Sequence, residues 1–403
     1  MKKFYVAIAL LLIVTMLPVA LFSCNSKEEK PTEAPTSAPT EAPTKPQATE
    51  EPIIGTKTSL LGNADKVKIN GRWSETLDGI AVDNVGSGIE FCGNMKGKVY
   101  VEIRVLGSDS YFSVYVDGVK SEERLKVKFG RKATNLMVAD LGEEAAEHTI
   151  RLVKQTEARY ARAEYFSITM DGTFSAPPAE KDIYIEFAGS SLCCGMGNLG
   201  WPDMGVPKSQ SSPYEDGTQG FAYLAAEALG ADHSILGVSG MGLAKTWFPP
   251  LTLAKYYETT SFYRNDELKY DFTTARIPDI VVLNVGKNDG QLTSTNGSLT
   301  PSTDEEFVAA ARSTLSFLRD KYGEDVVIVW AYDIYDAMRM NLIEPILEEL
   351  GGEEAGYYAC QVTSNRDGGD YHTDLKGHSQ AAKDLIDFMR SKDFFGLDIE
   401  VGE

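Results

Sequence analysis

Four short blocks hold residue types that could do chemistry together. Phe187-Ala188-Gly189-Ser190-Ser191-Leu192 directly follows an apolar run. That spacing puts a serine at the C-terminal end of a strand and just ahead of a helix, where open α/β sheets bind ligands and backbone N–H groups can stabilise negative charge. Alone, a Gly-Ser-Ser turn is equally a plain helix cap. Gly237-Val238-Ser239-Gly240-Met241-Gly242 follows Ser234-Ile235-Leu236, a short strand pattern. A glycine here lets a backbone N–H approach a ligand closely, or simply makes a turn. The apolar run 281–285 leads into Gly286-Lys287-Asn288-Asp289. Gly286 permits a sharp turn, after which the uncharged amide of Asn288 could meet a developing oxyanion without competing for the proton. An Asn-Asp pair is also a common turn former.

The fourth block is Gly368-Gly369-Asp370-Tyr371-His372. A serine nucleophile needs a base that titrates near neutrality, and histidine serves best. Of the four histidines, His148 lies in the N-terminal part, His233 is placed in a turn and His378 falls inside a helix pattern, which leaves His372 on a loop beside an acid. In an extended segment Asp370 and His372 share one face, so the carboxylate could orient the imidazole and stabilise the imidazolium. A backbone carbonyl could hold the ring instead. The chemistry of such a set is acyl transfer through a serine. No His/Cys/Asp cluster has metal-ligand spacing, so neither a metal nor a cofactor is expected.

The elements that must position these blocks are legible in the patterning. Between residues 54 and 174, the runs 99–105, 111–118 and 149–153 alternate apolar and polar residues, with Gly and Asp turns. This predicts antiparallel strands and, at this spacing, a β-sandwich of jelly-roll type. Phe174-Ser175-Ala176-Pro177-Pro178 breaks the pattern, and a second domain is predicted over 175–403. Apolar strands at 183–187, 280–285 and 326–330 there alternate with helices at 218–229, 304–322 and 374–389. The middle helix opens on Asp304, Glu305 and Glu306, which suit its dipole. Strands alternating with helices predict a parallel α/β sheet.

Residues 1–23 read as an export signal, with Lys2 and Lys3 ahead of an apolar run over 4–22. Leu21-Phe22-Ser23-Cys24 resembles the bacterial lipobox, which implies lipidation of Cys24 and an extracytoplasmic, membrane-anchored lipoprotein. The run is also long enough for a retained transmembrane anchor. Residues 24–53 form a Pro/Thr/Glu-rich linker of near-repeating tetrads, with no apolar face to bury, and are expected to be an extended tether.

The 403 residues carry 59 acidic and 39 basic side chains, a net charge of −20. This argues against nucleic acid or a bare anionic membrane as a partner, since both need clustered Lys and Arg. Membrane contact is expected through the lipid anchor only, and a neutral polysaccharide is a substrate this surface would not repel. The five cysteines, Cys24, Cys92, Cys193, Cys194 and Cys360, match no disulfide framework or zinc site. The last four are expected as reduced, partly buried thiols.

The four blocks, in the order nucleophile serine, donor glycine, donor asparagine and histidine, resemble the SGNH, or GDSL-type, hydrolases. The resemblance narrows to carbohydrate esterase family 2, which joins an N-terminal jelly roll to an SGNH domain. Residues 185–197 are similar to that family's nucleophile block and Asp370-Tyr371-His372 to its Asp-aromatic-His block; Gly71-Arg72 and residues 148–157 are similar to parts of its first domain. The resemblance implies a three-layer parallel-sheet α/β hydrolase domain of SGNH type behind an all-β jelly roll. It implies Ser191 as nucleophile, His372 as general base and Asp370 as the acid that orients it. The oxyanion hole would comprise the Ser191 and Gly240 backbone N–H groups and the Asn288 side chain, with Tyr371 shaping the acyl or sugar site. The family has Asp where this chain has Ser190, so a hydroxyl replaces part of an acid's support of the nucleophile loop. Trp201 and Trp247 could line a sugar platform. The implied reaction is removal of O-acetyl groups from an acetylated polysaccharide such as xylan or glucomannan, by a monomer. Two other functions stay open: an esterase on the same scaffold acting on peptidoglycan or small acyl esters, and a non-catalytic carbohydrate-binding lipoprotein.

Overall fold

The structure is a computed structural model that describes residues 53–200, 212–247, 250–265, 267–291, 300–333 and 339–394. The segments expected as an export signal (1–23) and a linker (24–53, all but its last residue), with Cys24, and the expected site residue Trp201 lie outside the described residues.

The N-terminal part is wholly antiparallel. Its strands are β1 (Thr56–Ser59), β2 (Lys68–Asn70), β3 (Trp73–Glu75), β4 (Ile80–Val82), β5 (Gly88–Gly107), β6 (Ser110–Val116), β7 (Val119–Lys120), β8 (Leu125–Val127), β9 (Thr134–Asp140), β10 (Ala146–Lys154) and β11 (Ala161–Phe174). The hydrogen-bonded order is β3-β4-β11-β5-β10-β6-β7. Period-2 patterning explains these strands. Along β5, Val99, Val101, Ile103 and Val105 are fully buried while Tyr100, Glu102 and Arg104 on the other face are only half-buried. The inward set packs on Phe91, Phe112, Val114, Ile150, Leu152 and Tyr165 in one core.

After residue 174 the chain changes class. Strands β12 (Tyr184–Gly189), β13 (Asp232–Gly237), β14 (Ile280–Asn284), β15 (Val327–Asp333) and β16 (Tyr357–Val362) form a parallel sheet in the order β13-β12-β14-β15-β16. Helices α1 (Ser191–Cys194), α2 (Phe221–Ala228), α3 (Leu253–Tyr257), α4 (Lys287–Gln291), α5 (Asp304–Tyr322), α6 (Met340–Glu349) and α7 (Leu375–Ser391) connect them. The strands are apolar throughout because both faces are covered. Ile185, Phe187, Val282 and Val329 face α2 and α7, whereas Ala188, Val281, Leu283 and Ile328 face α3, α5 and α6. Phe187 meets Phe221 edge-on with ring centroids 6.2 Å apart; burying a side chain of this size contributes about 1.5–3 kcal/mol. The predicted helix 304–322 is α5, and its start is a capping box. Thr303 Oγ1 accepts from Glu306 N–H at 3.1 Å and Glu306 Oε2 accepts from Thr303 N–H at 2.9 Å.

One expectation is corrected, and two elements are added. His233 sits in β13, not in a turn, where it stacks edge-on against Tyr223 at 4.9 Å. Residues 340–349 and 357–362 are a further helix and the last strand of the sheet.

Pro52–Glu403 form one compact unit, and a buried ion pair links its two sheets. Arg72, ahead of β3, donates to both oxygens of Glu186 on β12, at 3.2 and 3.3 Å. The Tyr257 and Tyr322 hydroxyls donate to the same carboxylate at 2.5 and 2.6 Å. Burial raises the pKa of Glu186, but Arg72 and these hydroxyls overcome that and hold its carboxyl below the usual range. Breaking such a pair from one side costs about 3–5 kcal/mol.

Candidate active site

In a sheet of this order the topological switch point lies between β12 and β14, at their carboxyl ends. The first three sequence blocks leave the sheet there. A cleft of about 430 Å³ opens above them, lined by Ser191, Gly240, Asn288, Asp370, Tyr371, His372 and Trp247. These are all the predicted site residues that fall within the described residues, Cys24 and Trp201 being the two outside.

Ser191 is the first residue of α1, a single turn with Ser190 at its N-cap and Gly195 closing it at φ 76. The N-cap hydroxyl of Ser190 makes no capping bond, and Ser190 N–H donates to Asn284 O at 3.1 Å. The turn packs so closely that a Cβ on Gly189 would lie 2.2 Å from Asn284 O. Ser191 is half-buried in the cleft. Cys193 and Cys194 beneath it are reduced and fully buried, and burial pushes both thiols up, away from the thiolate.

Gly240 has φ +89, and a Cβ there would meet Cβ and Cδ1 of Trp247 at 3.0 Å. The Gly240 carbonyl accepts from Trp247 N–H at 3.1 Å and from Thr246 Oγ1 at 3.2 Å. Asn288, in the first turn of α4, donates from Nδ2 to Met241 O at 2.8 Å, which fixes its amide against the Gly240 loop. Its neighbour Asp289 was not singled out from the sequence for more than a turn. It accepts from Leu243, Ala244 and Lys245 N–H at 2.9, 2.7 and 2.8 Å and so closes the same loop.

His372 follows a short 3-10 turn, Gly369–Tyr371. Its Nδ1 lies 2.9 Å from the main-chain carbonyl of Asp370. Of the two groups the sequence leaves open for holding the ring, the backbone carbonyl is the one found at Nδ1. The segment is not extended, because Asp370 and Tyr371 adopt φ 53 and 58, so the two side chains do not share a face as alternating residues would. The Asp370 carboxylate is exposed, and the peptide carbonyl takes the position at Nδ1. Two residues on, Asp374 caps α7, accepting from Gly377 N–H at 2.8 Å and Asn365 Nδ2 at 2.7 Å. The loop is thereby pinned on both sides.

The other histidines are unsuited to base catalysis in this cleft. His378 also lines it, but burial pushes it down to about 3, and its Nδ1 accepts from Phe221 N–H at 3.1 Å. Burial pushes His233 down to about 4. His148 pairs with Asp117 at 2.8 Å on the antiparallel part. Among the described residues no group of three or more His, Cys, Asp or Glu could hold a metal ion.

Sequence reasoning assigned no role to four charged residues that line the cleft: Arg159, Lys287, Arg366 and Asp333. Arg159 comes from the antiparallel part, on the segment between β10 and β11, and no local pattern signals its arrival. Lys287 lies within a block that the sequence singles out, and Arg366 two residues ahead of another.

Residues 69–178 match the family model described as Carbohydrate esterase 2 N-terminal. The cellulase/esterase CelE of Acetivibrio thermocellus is 25% identical over 305 residues, 71% of this chain. The match takes in 34% of CelE, so the chain spans about a third of that protein's length. Two solved structures share the fold. A family two carbohydrate esterase from Clostridium thermocellum in complex with cellohexaose has a TM-score of 0.70 at 21% identity, covering 81% of this chain and 98% of that one. The acetyl xylan esterase Est2A from Butyrivibrio proteoclasticus has a TM-score of 0.71 at 21% identity, covering 85% and 100%. The match to the carbohydrate esterase 2 N-terminal model thus lies in the antiparallel part, and the fold of the chain is the one those two esterases share.

Proposed function

We propose that the protein is a serine acetylesterase that removes O-acetyl groups from plant polysaccharides, xylan or glucomannan. The observation that carries this reading is the meeting of Ser191, Gly240, Asn288 and His372 in one cleft at the switch point of the sheet. Because a carbonyl oxygen can only accept, the Asp370 carbonyl keeps the His372 proton on Nδ1 and leaves the Nε2 lone pair for Ser191. Ser191 Oγ attacks the acetyl carbonyl carbon and its proton passes to His372 Nε2. The Ser191 and Gly240 N–H groups and the Asn288 amide stabilise the oxyanion. His372 returns the proton to the departing sugar oxygen, leaving an acetyl-serine. Water, deprotonated by His372, then attacks that ester, and acetate leaves as Ser191 regains its proton.

We read the antiparallel part as a jelly roll that supplies one wall of the cleft through Arg159. The signal and linker support export and lipidation at Cys24. A Cys24→Ser protein recovered from the medium instead of the membrane fraction would agree with that; equal membrane retention would favour a retained transmembrane anchor.

The test of activity is acetate release from acetylated xylan and glucomannan by the protein beside its Ser191→Ala variant. Release by the parent alone supports the reading, and the better polymer names the substrate. A parent inactive on both polymers and on a simple aryl acetate would sink it in favour of a binding role. A second reading, an esterase for acidic acylated glycans such as peptidoglycan, is favoured by one observation: in a strongly acidic chain, three cations (Arg159, Lys287 and Arg366) line the cleft against two carboxylates (Asp333 and Asp370). An O-acetylated acidic glycan therefore belongs in the same panel.

A further inference from the structure

Between β10 and β11 the chain leaves the antiparallel part and runs beside the nucleophile turn. Two side chains of this segment grip one residue there. Glu157 Oε2 accepts from Ser239 N–H at 2.6 Å and lies 3.5 Å from Cys194 Sγ. Arg159 Nη1 donates to the Ser239 carbonyl at 3.2 Å. That carbonyl and the Gly240 N–H belong to the same peptide unit.

The consequence is electronic as well as steric. A cation donating to a peptide oxygen draws density from the amide, so the N–H on its far side becomes a stronger donor. Charge-assisted bonds of this kind are roughly twice as strong as neutral ones. Glu157 fixes the preceding peptide, which keeps the donor from rotating. The segment itself is anchored by buried bonds: Glu157 N–H donates to Glu215 Oε1 at 2.8 Å, and Lys154 Nζ donates to the carbonyls of Asp83 at 2.9 Å and of Thr156.

We propose that Arg159 and Glu157, carried by the antiparallel part, are positioning residues that aim and polarise the Gly240 N–H as an oxyanion donor. The inference rests on the esterase reading above. It also gives the antiparallel part a share in the chemistry beyond substrate capture.

The test uses the whole protein, a simple aryl acetate, and phenylboronic acid, which forms a tetrahedral anion on a reactive serine. Arg159→Met should lower kcat about tenfold, a fraction of the 10²–10³ that loss of a whole oxyanion donor costs. The boronic acid should weaken by the same factor while KM stays within about twofold, because the group acts on the transition state only. Arg159→Lys should recover most of the loss. Glu157→Gln, whose amide oxygen still accepts from Ser239, should stay within about threefold of the parent, whereas Glu157→Leu should match Arg159→Met. Should Glu157→Leu fail to fold, the Arg159 series decides. An unchanged Arg159→Met with an active parent overturns this inference alone. So does a rise in KM with boronic acid binding untouched, which would make Arg159 a substrate contact. A parent that neither hydrolyses the acetate nor binds boronic acid overturns the esterase reading, and this inference with it.

Discussion

His372 Nδ1 and the main-chain carbonyl of Asp370 lie 2.9 Å apart, within a turn whose two central residues, Asp370 and Tyr371, both have positive φ. Where a Ser-His-Asp set places a buried carboxylate at Nδ1, a backbone carbonyl stands here. The carbonyl selects the same tautomer, with the proton on Nδ1, but brings only a dipole to the imidazolium.

Asp370→Asn is therefore expected to leave kcat/KM on an aryl acetate within about threefold of the parent. Where a carboxylate fixes the tautomer, the same exchange costs about 10⁴-fold. Asparagine tolerates positive φ, so the carbonyl stays in place. His372→Ala and Ser191→Ala should each lose at least about 10³-fold. A loss beyond a hundredfold in Asp370→Asn would return the role to the carboxylate.

Gly240→Ala tests the backbone donor. Positive φ on a non-glycine residue costs on the order of 1–3 kcal/mol, and the new Cβ would press on Trp247 at 3.0 Å. The loop must shift and take the N–H off target. A fall in kcat of about 10²-fold is expected, with KM little changed. Asn288→Ala should give a loss of similar size by removing the side-chain donor. Unchanged kcat in both variants would place the oxyanion hole elsewhere.

The parts of this site that were legible in the sequence are local. A strand that ends in Gly-Ser-Ser, or in Gly-Lys-Asn-Asp, brings its chemistry within a few residues of a readable apolar run, and the parallel sheet then gathers the ends. A shared face for Asp370 and His372 presumes extended backbone, and two consecutive non-glycine residues at positive φ leave no mark in a composition. His233 was placed in a turn because a polar pair, Asp232-His233, opens its strand. Asp232 takes Lys68 and Arg276 there, at 2.6 and 3.2 Å, partners remote in sequence. Helix α6 carries Pro345, which argues against a helix interior when read alone. Glu157 and Arg159 lie some 80 residues from the loop they hold, and only the packing of the two parts brings them to it.

Stability should depend on pH through His233. Its folded pKa, pushed by burial down to about 4, lies below the ordinary value of 6.5. The unfolded chain therefore binds more protons between those values, and stability rises with pH across that window. The contribution is fully present above about 6.5 and is lost as pH falls toward 4. His233→Gln keeps a donor for the Gly86 carbonyl, which lies 3.2 Å from Nε2, without titrating. Urea midpoints measured at pH 7 and pH 5 should converge for this variant relative to the parent. Parallel shifts in the two proteins would show that His233 is not the group responsible.

Trp247 and Tyr371 are both exposed on the cleft, at 40% and 68%, yet only Trp247 supports the Gly240 loop. Trp247 packs its Cβ and Cδ1 against Gly240 and donates its N–H to the Gly240 carbonyl, whereas Tyr371 stands free of that loop in sequence and belongs to the His372 turn. If both rings stack on sugar, their variants should still differ. Tyr371→Asn, which suits the positive φ, should raise KM for acetylated polymer about fivefold to tenfold, equivalent to roughly 1–1.4 kcal/mol of lost stacking, with turnover of an aryl acetate unchanged. Trp247→Ala should raise the polymer KM and also lower kcat on the aryl acetate, because Gly240 loses its packing partner. Trp247→Phe, which restores the Cβ and a ring edge, should recover kcat before it recovers polymer affinity. Equal behaviour of Tyr371→Asn and Trp247→Ala on both substrates would contradict this division. Loss of kcat without any change in polymer KM at Trp247 would leave that ring a purely structural part.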